Sequence, residues 1–440
     1  MSQAMHHRVG KKWIEAGAIT LVVACAGGMG GMGGEPRQTH VEPGITVLLR
    51  DSASLLAGKR VGLLTNQSGV DEHGTSDIDL LYRASKAQND SVPAPKLVAL
   101  LSPEHGIRGT EDRTNLANGR DARTGLPIYS LYGGTVLAPP DSLLDRLDVL
   151  VVDLQDLGAR DWTFVASVVY AMRAAAQHHV MVIVPDRPNP ITGMHVEGPV
   201  LDSTIAFAGT GSAARPAHPT ALYPIPMRHG LTMGELARFY NDILGIHADL
   251  HVIPMSGWRR AEWFDQTGLP WIKPSPNMPS LASATLYPGI VWLESTNLSV
   301  GRGTGEAFQV VGAPWLNAKR VVELLSDRNL AGVKFEAERF TPHDPTDHRY
   351  GGKEVNGFKI EITDRDHLQT SRIGAAIIWA VARVNGDSLR IRPESFDLLF
   401  GVPSARAALV SGADPDSLID ASLPATVRFE QESRKYQLYR

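Results

Sequence analysis

The sequence predicts an α/β fold in which a domain built on a parallel sheet is followed by a smaller α+β domain. Short runs rich in Val and Leu recur at 60–64, 96–101, 148–153 and 180–184, and polar loops and helical stretches separate them. Runs that are apolar on both faces suit strands that helices cover on each side of a sheet. Beyond residue 317, helical and strand patterns continue in a second, shorter series.

Periodicity and capping signals predict the other elements of the first domain. An amphipathic helix is expected at 164–177, between the last two strands of the series. Thr232 opens another helix, because Glu235 three residues later completes a capping box. Residues 250–254 form a further predicted strand. We therefore expect the first domain to span residues 45–285.

A loop-rich segment separates this domain from the second one. Residues 257–317 are dense in Gly, Pro and Trp and follow neither helix nor strand periodicity, and ordered loops of such length usually carry function. Regular structure then returns as a helix at 318–325, strands at 333–340 and 358–363, and a helix at 373–384. The second, smaller α+β domain is expected at 286–440.

The N-terminal 34 residues have the pattern of a secretory signal followed by a flexible tether. Basic residues precede an apolar run at 16–26, which is shorter than the roughly 20 residues of a membrane-spanning helix. The sequence VVAC at 22–25 resembles the bacterial lipobox, in which the cysteine is lipidated, and 27–34 is rich in Gly. A conventional cleaved signal with no role for Cys25 is the alternative. We expect an exported protein that is either a lipoprotein anchored in the membrane through Cys25 or periplasmic or extracellular.

Composition excludes several classes of protein. With 43 Lys plus Arg against 47 Asp plus Glu, the net charge of -4 does not favour binding of nucleic acid. One cysteine allows neither an internal disulfide nor a Cys-rich metal site. The chain has no GxSxG or HExxH motif, and GRGTG at 301–305 lacks the lysine of a phosphate-binding loop. We expect no cofactor and no metal, and infer no protein partner.

Polar side chains follow four successive predicted strands. In open parallel sheets, ligands bind outside the carboxyl ends of the strands, where such loops converge. A single Asp or Asn at such a place is more often a turn residue or a helix cap, but four clusters in phase favour a binding site. In chain order the candidates are Asn66; Glu104 and His105; Asp153, Gln155, Asp156 and Arg160; and Asp186, Arg187 and Asn189.

The carboxyl groups suit the cleavage of glycosidic bonds, which needs one carboxylic acid and usually a second carboxylate. Glu104 is the first candidate for the acid or acid/base, because Pro103 and Gly106 flank it in a sharp turn and His105 adjoins it. A structural salt bridge from Glu104 to Arg108 or Arg113 is an equally weighted alternative. Further carboxylates are available in this chain at Asp153, Asp156, Asp186, Glu197 and Glu306.

Arginines and tryptophans supply candidate substrate contacts. Arginine pairs well with carboxylates, so Arg160, Arg187 and Arg302 are candidate receptors for a negatively charged substrate group, although each is more often paired with protein. Trp258, Trp263, Trp271 and Trp292 suit stacking on sugar faces, but tryptophans in a Pro-rich segment more often pack a loop onto the core.

Together, many segments resemble the NamZ-type exo-β-N-acetylmuramidases, a bacterial family of peptidoglycan glycosidases. The resemblance runs in order from about residue 46 to the C-terminus. It rests on SPEHGIRG, TGLPIYSLYG, DVLVVDLQDLGAR, DRPNPITGMHVEGPVLD, YPIPMRHGLTMGELARFYN, PMSGWRRAEWFDQTGLPWIKPSPNMPS, LESTNLSVGRGTGEAF and FEQESRKYQLY. Ser102 is a small departure, since another small residue is common there.

The resemblance implies a Rossmann-like first domain, a smaller second domain and an active site in the cleft between them. It also implies release of N-acetylmuramic acid (MurNAc) from the non-reducing end of fragments such as MurNAc-GlcNAc, with the Glu of the PEHG motif, here Glu104, as the expected catalytic residue. His105, the DLQDLGAR acids Asp153 and Asp156, Asp186, Arg187 and Glu306 match family motifs, and His105 and Asp153 are expected to act with Glu104 in catalysis. A lactyl carboxylate on the substrate gives the arginines a purpose. A β-N-acetylglucosaminidase of the same fold and a lipoprotein that binds muropeptides without cleaving them are the alternatives. Retention or inversion at the anomeric carbon stays open.

Overall fold

A computed structural model describes residues 40–87, 93–109, 116–132, 137–206 and 219–440 of the chain. These residues belong to one compact unit. The predicted signal, the tether and Cys25 lie outside the described residues. Within the described ranges, no helix is long and apolar enough to cross a membrane.

The strands form three sheets. Those in the described residues are β1 (Arg60–Thr65), β2 (Lys96–Ser102), β3 (Gly119–Arg120), β4 (Pro127–Ser130), β5 (Val149–Asp153), β6 (Met181–Pro185), β7 (Glu197–Val200), β8 (Pro226–Arg228), β9 (Leu250–Ile253), β10 (Val310–Ala313), β11 (Val333–Phe340) and β12 (Val355–Ile362). The central sheet has the order β3-β4-β2-β1-β5-β6-β9 and is parallel except for β3. A small sheet has the antiparallel order β10-β12-β11, and β7 pairs with β8.

The helices cover the sheets and fill the space between them. In the described residues they are α1 (Gly44–Asp51), α2 (Asp77–Ala84), α3 (Asp141–Leu144), α4 (Phe164–Gln177), α5 (Met233–Ile243), α6 (Leu281–Ile290), α7 (Ala318–Ser326), α8 (Thr370–Asn385), α9 (Pro393–Phe400), α10 (Pro403–Val410), α11 (Pro415–Asp420) and α12 (Leu423–Ser433). Connections between parallel strands run through α2, α3, α4 and α5. The fold is therefore the predicted parallel-sheet domain with a smaller second domain.

The strand order creates a switch point at the centre of the sheet. From β1 the chain moves outward to β2 and β4, and then returns to the other side of β1 as β5, β6 and β9. Ligand crevices of open α/β sheets lie at such a reversal, outside the carboxyl ends of the strands. The loops that follow β2, β4 and β5 are therefore the ones placed to form a site.

Predicted and observed elements agree best where a strand is buried or a helix is capped. The predicted strands of the first domain appear as β1, β2, β5, β6 and β9, and α4 has the predicted bounds. The capping box of α5 forms as expected: Thr232 Oγ1 accepts from the Glu235 backbone N–H at 3.2 Å, and the Thr232 N–H donates to Glu235 Oε2 at 3.0 Å. The second-domain predictions correspond to α7, β11, β12 and α8.

Helix α6 is an element that periodicity missed. It lies inside the segment expected to be irregular, is buried over 283–290 and contains Pro288. A helix that is apolar on all sides has no amphipathic stripe to detect. Helix α6 crosses α8 at Gly289 and Gly374, and the main apolar core continues from the central sheet through this crossing. The predicted boundary at residue 285 falls within α6, and the exact domain limits stay a prediction.

Candidate active site

A cavity of about 270 Å³ lies at the switch point of the central sheet. Three loops of the first domain form one wall: the loop after β2 contributes Glu104 and His105, the loop after β4 contributes Tyr132, and the loop after β5 contributes Asp161, Trp162 and Thr163. Side chains from the later part of the chain form the opposite wall, namely Tyr287, Val291, Glu294, Arg302, Phe308 and Leu399. The cavity therefore has walls from both predicted domains.

Glu104 stands in a turn at the mouth of β2. His105 and Gly106 have φ values of 69° and 75°, and the Gly106 N–H donates to the Pro103 carbonyl at 3.2 Å, so the chain reverses sharply there. The hydroxyl of Thr163 donates a hydrogen bond to Glu104 Oε2. Glu104 is half-buried and lines the cavity, and His105 beside it is buried. The turn therefore presents a carboxyl group whose orientation the Thr163 hydroxyl holds.

Arg108, one of the two alternative salt-bridge partners of Glu104, pairs with another acid. Arg108 donates instead to Asp121 Oδ1 at 2.5 Å, and Asp121 is buried. Arg113 lies outside the described residues. The Arg108 version of the alternative is therefore not observed.

The opposite wall carries an ion pair. Arg302 Nε donates to Glu294 Oε1 at 2.5 Å, and an Arg302 Nη donates to Thr346 Oγ1 at 3.3 Å. Tyr287 is buried beside these groups, and burial, together with Asp161 and Glu294, raises the pKa of its hydroxyl well above the usual value. Of the three arginines predicted to receive an anionic group, Arg302 is the one that lines the cavity.

Asp161 is a cavity residue that sequence reasoning missed. Its side chain follows the DLQDLGAR motif directly, is 1% exposed, and has no hydrogen-bond partner in another described residue at either oxygen. Burial raises the pKa of this carboxyl group to about 7. In the sequence, Asp161 is one more acid directly after the DLQDLGAR motif. No local pattern distinguishes Asp161 from the acids within that motif.

Two predicted site residues form a buried ion pair behind the cavity instead of lining it. Arg187 Nη2 donates to Asp153 Oδ2 at 2.9 Å and to the Val70 carbonyl at 2.7 Å, and Asp77 lies close to the same guanidinium. Both oxygens of Asp153 accept from Arg187, and Asp153 is 0% exposed. The structure thus places the predicted catalytic Asp153 and the predicted receptor Arg187 in the scaffold beneath the loops, away from the cavity.

Arg160 also serves the scaffold. Its guanidinium donates to the carbonyl groups of Leu399 at 2.7 Å and of Leu398 at 3.3 Å, which tie the loop after β5 to helix α9. Arg160 is buried, and burial lowers its pKa to about 10. Arg160 does not line the cavity, and both of its Nη groups donate to backbone carbonyls; its expected role as a receptor for a substrate anion stays a prediction.

The remaining predicted binding residues are turn and cap residues in this structure. Asn66 Oδ1 accepts from Ser68, Gln155 Nε2 donates to the Pro188 carbonyl, Asp156 Oδ2 accepts from the Gly158 N–H, and Asn189 Nδ2 donates to the Leu231 carbonyl. Asp186 accepts from Thr232, Gly234 and Tyr439, each at 2.7 Å. Glu306 pairs with Lys359 on β12. None of these six lines the cavity, because each holds a neighbouring loop or strand.

The tryptophan that lines the cavity is not one of the four predicted candidates. Trp258, Trp263 and Trp292 are buried, and Trp271 is half-buried against Phe264. Trp162 lines the cavity and packs edge-on against Tyr287, with ring centroids 5.6 Å apart. The four predicted tryptophans therefore pack loops onto the core, which is the alternative to sugar stacking that the sequence analysis gave. Within the described ranges, no group of three or more His, Cys, Asp or Glu side chains is placed to hold a metal ion.

The cavity of this parallel α/β scaffold contains the carboxyl groups that glycosidases use, and comparison with known proteins shows that class of enzyme. The family models described as exo-beta-N-acetylmuramidase NamZ, N-terminal and C-terminal, match residues 61–282 and 285–439. The peptidoglycan beta-N-acetylmuramidase NamZ of Bacillus subtilis (strain 168) is 37% identical over 406 residues, 92% of each chain. The chain belongs to the exo-β-N-acetylmuramidase NamZ family and is a glycosidase.

Solved structures support the same fold. One DUF1343 family protein from Bacteroides fragilis NCTC 9343 is 34% identical and superimposes with a TM-score of 0.80 over 91% of this chain and 100% of its own. A second from the same organism is 27% identical, with a TM-score of 0.71 over 91% of this chain and 99% of its own. The family resemblance and the fold class predicted from the sequence are confirmed.

Proposed function

We propose that this protein is an exo-acting glycosidase that releases N-acetylmuramic acid from the non-reducing end of peptidoglycan fragments such as MurNAc-GlcNAc. The observation that carries the proposal is the position of Glu104, whose carboxyl group lines the cavity in the turn after β2. The B. subtilis relative, named as a peptidoglycan β-N-acetylmuramidase, supports the substrate class.

Glu104 acts as the acid or acid/base. Departure of the sugar requires a proton on the glycosidic oxygen while positive charge develops at C1 and the ring oxygen. Thr163 donates to one oxygen of Glu104, which holds the carboxyl group in one orientation and leaves the other oxygen for the substrate. His105 adjoins this group in the cavity and completes the polar environment of the turn.

Arg302 receives the lactyl carboxylate that distinguishes MurNAc from GlcNAc. Arg302 lines the cavity, where its guanidinium donates to Glu294 and Thr346, and a planar guanidinium binds a carboxylate through two parallel hydrogen bonds. The apolar faces of Trp162 and Phe308 supply surfaces for the sugar ring. The cavity thereby joins a proton donor and an anion receptor across one monosaccharide.

The test is release of MurNAc from MurNAc-GlcNAc by purified protein, beside Glu104→Gln and with a chelator present. We expect wild-type release that survives the chelator and a loss of about 10³-fold in kcat in the variant, since general acid catalysis contributes ~10²–10⁴-fold. Full activity of Glu104→Gln contradicts the assignment of Glu104. Preference for a GlcNAc glycoside indicates a β-N-acetylglucosaminidase, and tight binding without release indicates a muropeptide-binding protein.

We also propose that the protein is exported and anchored by a lipid on Cys25. The basic start, the apolar run at 16–26 and the VVAC sequence support this proposal. Metabolic labelling with a fatty acid is expected to mark the wild-type protein and to leave Cys25→Ser unlabelled. Labelling of neither protein contradicts the lipid anchor, and retention of both in the cytoplasm contradicts export.

A further inference from the structure

Asp161 is a second carboxyl group of the cavity beside Glu104, and it has no role in the substrate contacts proposed for Glu104 and Arg302. It is 1% exposed, and neither of its oxygens has a hydrogen-bond partner in another described residue. Buried polar groups in proteins are almost always hydrogen-bonded, and those that are not commonly mark functional sites. Asp161 lines the cavity, so the group that completes its hydrogen bonding enters from there.

The neighbouring charges leave Asp161 available. Arg160, its neighbour in sequence, donates from its Nη groups to the Leu398 and Leu399 carbonyls and makes no hydrogen bond to Asp161. Asp156, on the same loop, accepts from the Gly158 N–H at 2.6 Å and lies 3.4 Å from His229 Nε2. Across the cavity, Glu294 is paired with Arg302.

These surroundings allow the Asp161 carboxylate to accept a proton near neutral pH. Burial is the largest cause of its raised pKa of about 7; Arg160 lowers that pKa, while Glu294 and Asp156 raise it further. The charge of Asp161 in turn helps to raise the pKa of the buried Tyr287 hydroxyl. A base is most effective when its pKa lies near the working pH, and a desolvated carboxylate without donors meets that condition.

Asp161 and Glu104 belong to the same reaction centre by geometry. Thr163, two residues after Asp161, donates its hydroxyl to Glu104, and all three residues line the cavity. The loop after β5 therefore positions both carboxyl groups: Asp161 directly and Glu104 through Thr163. Glycosidases of this kind usually require two carboxyl groups at the scissile bond.

We propose that Asp161 is the second carboxyl group of the glycosidase reaction and serves as its general base, with Glu104 as the acid. The proposal rests on the proposed glycosidase function and replaces Asp153, which the structure places behind the cavity in a pair with Arg187. It extends that function by assigning both roles in the reaction.

Hydrolysis of the glycosidic bond is a single displacement at C1 by water. Glu104 gives its proton to the glycosidic oxygen, which takes the bonding pair as the bond to C1 breaks. The oxygen of a water molecule bonds to C1, and the proton lost by that water goes to Asp161. The products are MurNAc and the shortened sugar, and exchange with solvent returns a proton to Glu104 and removes one from Asp161. The configuration at C1 inverts, so a β-linked substrate yields the α-anomer first.

The main test is Asp161→Asn in the full-length protein, with MurNAc-GlcNAc as substrate. We expect kcat to fall about 10³-fold with KM changed less than about threefold. In the wild type, kcat/KM falls as the pH drops below about 7, because protonated Asp161 accepts no proton. In the variant this acidic limb disappears from the residual activity.

The control for a generic effect of removing a buried carboxyl group is Glu262→Gln. Glu262 is buried, pairs with Arg259 outside the cavity, and is expected to keep wild-type kcat. The control for misfolding is the melting temperature of Asp161→Asn at about pH 8, which we expect to be no lower than that of wild type, since an amide removes a buried charge. Proton NMR of fresh product is expected to show the α-anomer first.

Three results overturn the inference. They are wild-type kcat and an unchanged pH profile in Asp161→Asn, loss of activity together with a lower melting temperature, and first release of the β-anomer. If wild type releases MurNAc and Glu104→Gln does not, while Asp161→Asn stays active, only the role of Asp161 fails. If wild type releases no MurNAc at all, the proposed function fails first.

Discussion

Arg302 is the residue whose replacement best separates recognition from catalysis. It lines the cavity, and its guanidinium donates to Glu294 and Thr346. We expect Arg302→Ala to lower kcat/KM on a MurNAc glycoside by about 10–100-fold, because a charge-assisted hydrogen bond contributes ~1.5–3 kcal/mol. On the matching GlcNAc glycoside, which lacks the lactyl carboxylate, the loss is expected to stay below about threefold. Paired chromogenic substrates give both values.

Two further variants sharpen this measurement. Arg302→Lys keeps the charge but loses the two-pronged geometry, so an intermediate loss is expected. Arg320→Ala removes an exposed arginine paired with Glu323 and is expected to change neither substrate. Equal losses on both glycosides in Arg302→Ala contradict the receptor role and indicate that Arg302 serves mainly to hold Glu294.

The buried carboxyl group of Asp161 is also expected to make the stability of the protein depend on pH. Its folded-state pKa of about 7 exceeds the ordinary value of 3.8, so folding disfavours the ionised form. The loss of stability that the buried charge causes is absent below about pH 4. It grows as the pH rises from about 4 to about 7 and is complete above about pH 7. Asp161→Asn is therefore expected to stabilise the protein by a few kcal/mol at about pH 8 and by little at about pH 4. Urea unfolding at both pH values measures this; a stabilisation that is equal at both contradicts the charge argument.

At the scale of elements, the crossing of α6 and α8 depends on glycine. A Cβ on Gly289 would lie 1.9 Å from the Thr370 carbonyl oxygen, and one on Gly374 would lie 2.3 Å from the Gly289 carbonyl oxygen. The two backbones are in contact, so a methyl group must push the helices apart.

Gly289→Ala is therefore expected to lower the free energy of unfolding by about 2–3 kcal/mol, as in other overpacked cores. Gly119→Ala is the matched control, since a Cβ there meets nothing within 4 Å. Chemical denaturation of both variants measures the difference. A Gly289→Ala protein as stable as wild type would show that the crossing relaxes without cost.

Elements differ in how far their own residues specify them. Strand β5 is buried at every position and α5 carries a capping box, so each is visible in a local window. Helix α6 and the two-stranded sheet of β7 and β8 are not visible in such a window, because α6 has no polar face and the two strands are four and three residues long. Their conformations follow from what surrounds them.

At the scale of the whole molecule, the C-terminal tail ties the second domain back to the central sheet. Tyr439 Oη donates to Asp186 Oδ2 at 2.7 Å and accepts from the Met255 N–H at 2.9 Å, and its ring packs edge-on against Trp258. The Leu438 N–H donates to Glu235 Oε1 at 2.8 Å. The tail thereby satisfies buried acids at the end of β6 and the start of α5.

We expect Tyr439→Phe to destabilise the protein by about 1–3 kcal/mol, because the phenyl ring keeps the packing while Asp186 and the Met255 N–H lose a partner. Differential scanning calorimetry measures the shift in melting temperature. Tyr82→Phe, on a half-buried face of α2, is the control and is expected to change stability by less than about 0.5 kcal/mol. No shift in Tyr439→Phe means that the tail contributes packing alone.

The candidate site was predictable only in part. Glu104, His105 and Arg302 line the cavity, whereas Asp153, Arg160 and Arg187 make hydrogen bonds within the scaffold and do not line it. Polar residues that follow strands can be recognised in the sequence. The same residue types occur whether the side chain faces a ligand or a neighbouring loop. The difference depends on which groups lie opposite, and those come from distant segments.

The sequence by itself determined the α/β class, the buried strands, the capped helix α5 and the family, because each depends on a local pattern or on motifs in order. It also singled out Glu104 through the turn that carries it. Only the tertiary structure decided that Asp161 and Glu294 share a cavity with Glu104. The physical reason is that burial, missing hydrogen-bond partners and a raised pKa are properties of an environment, and the environment of Asp161 is assembled from loops far apart in the chain.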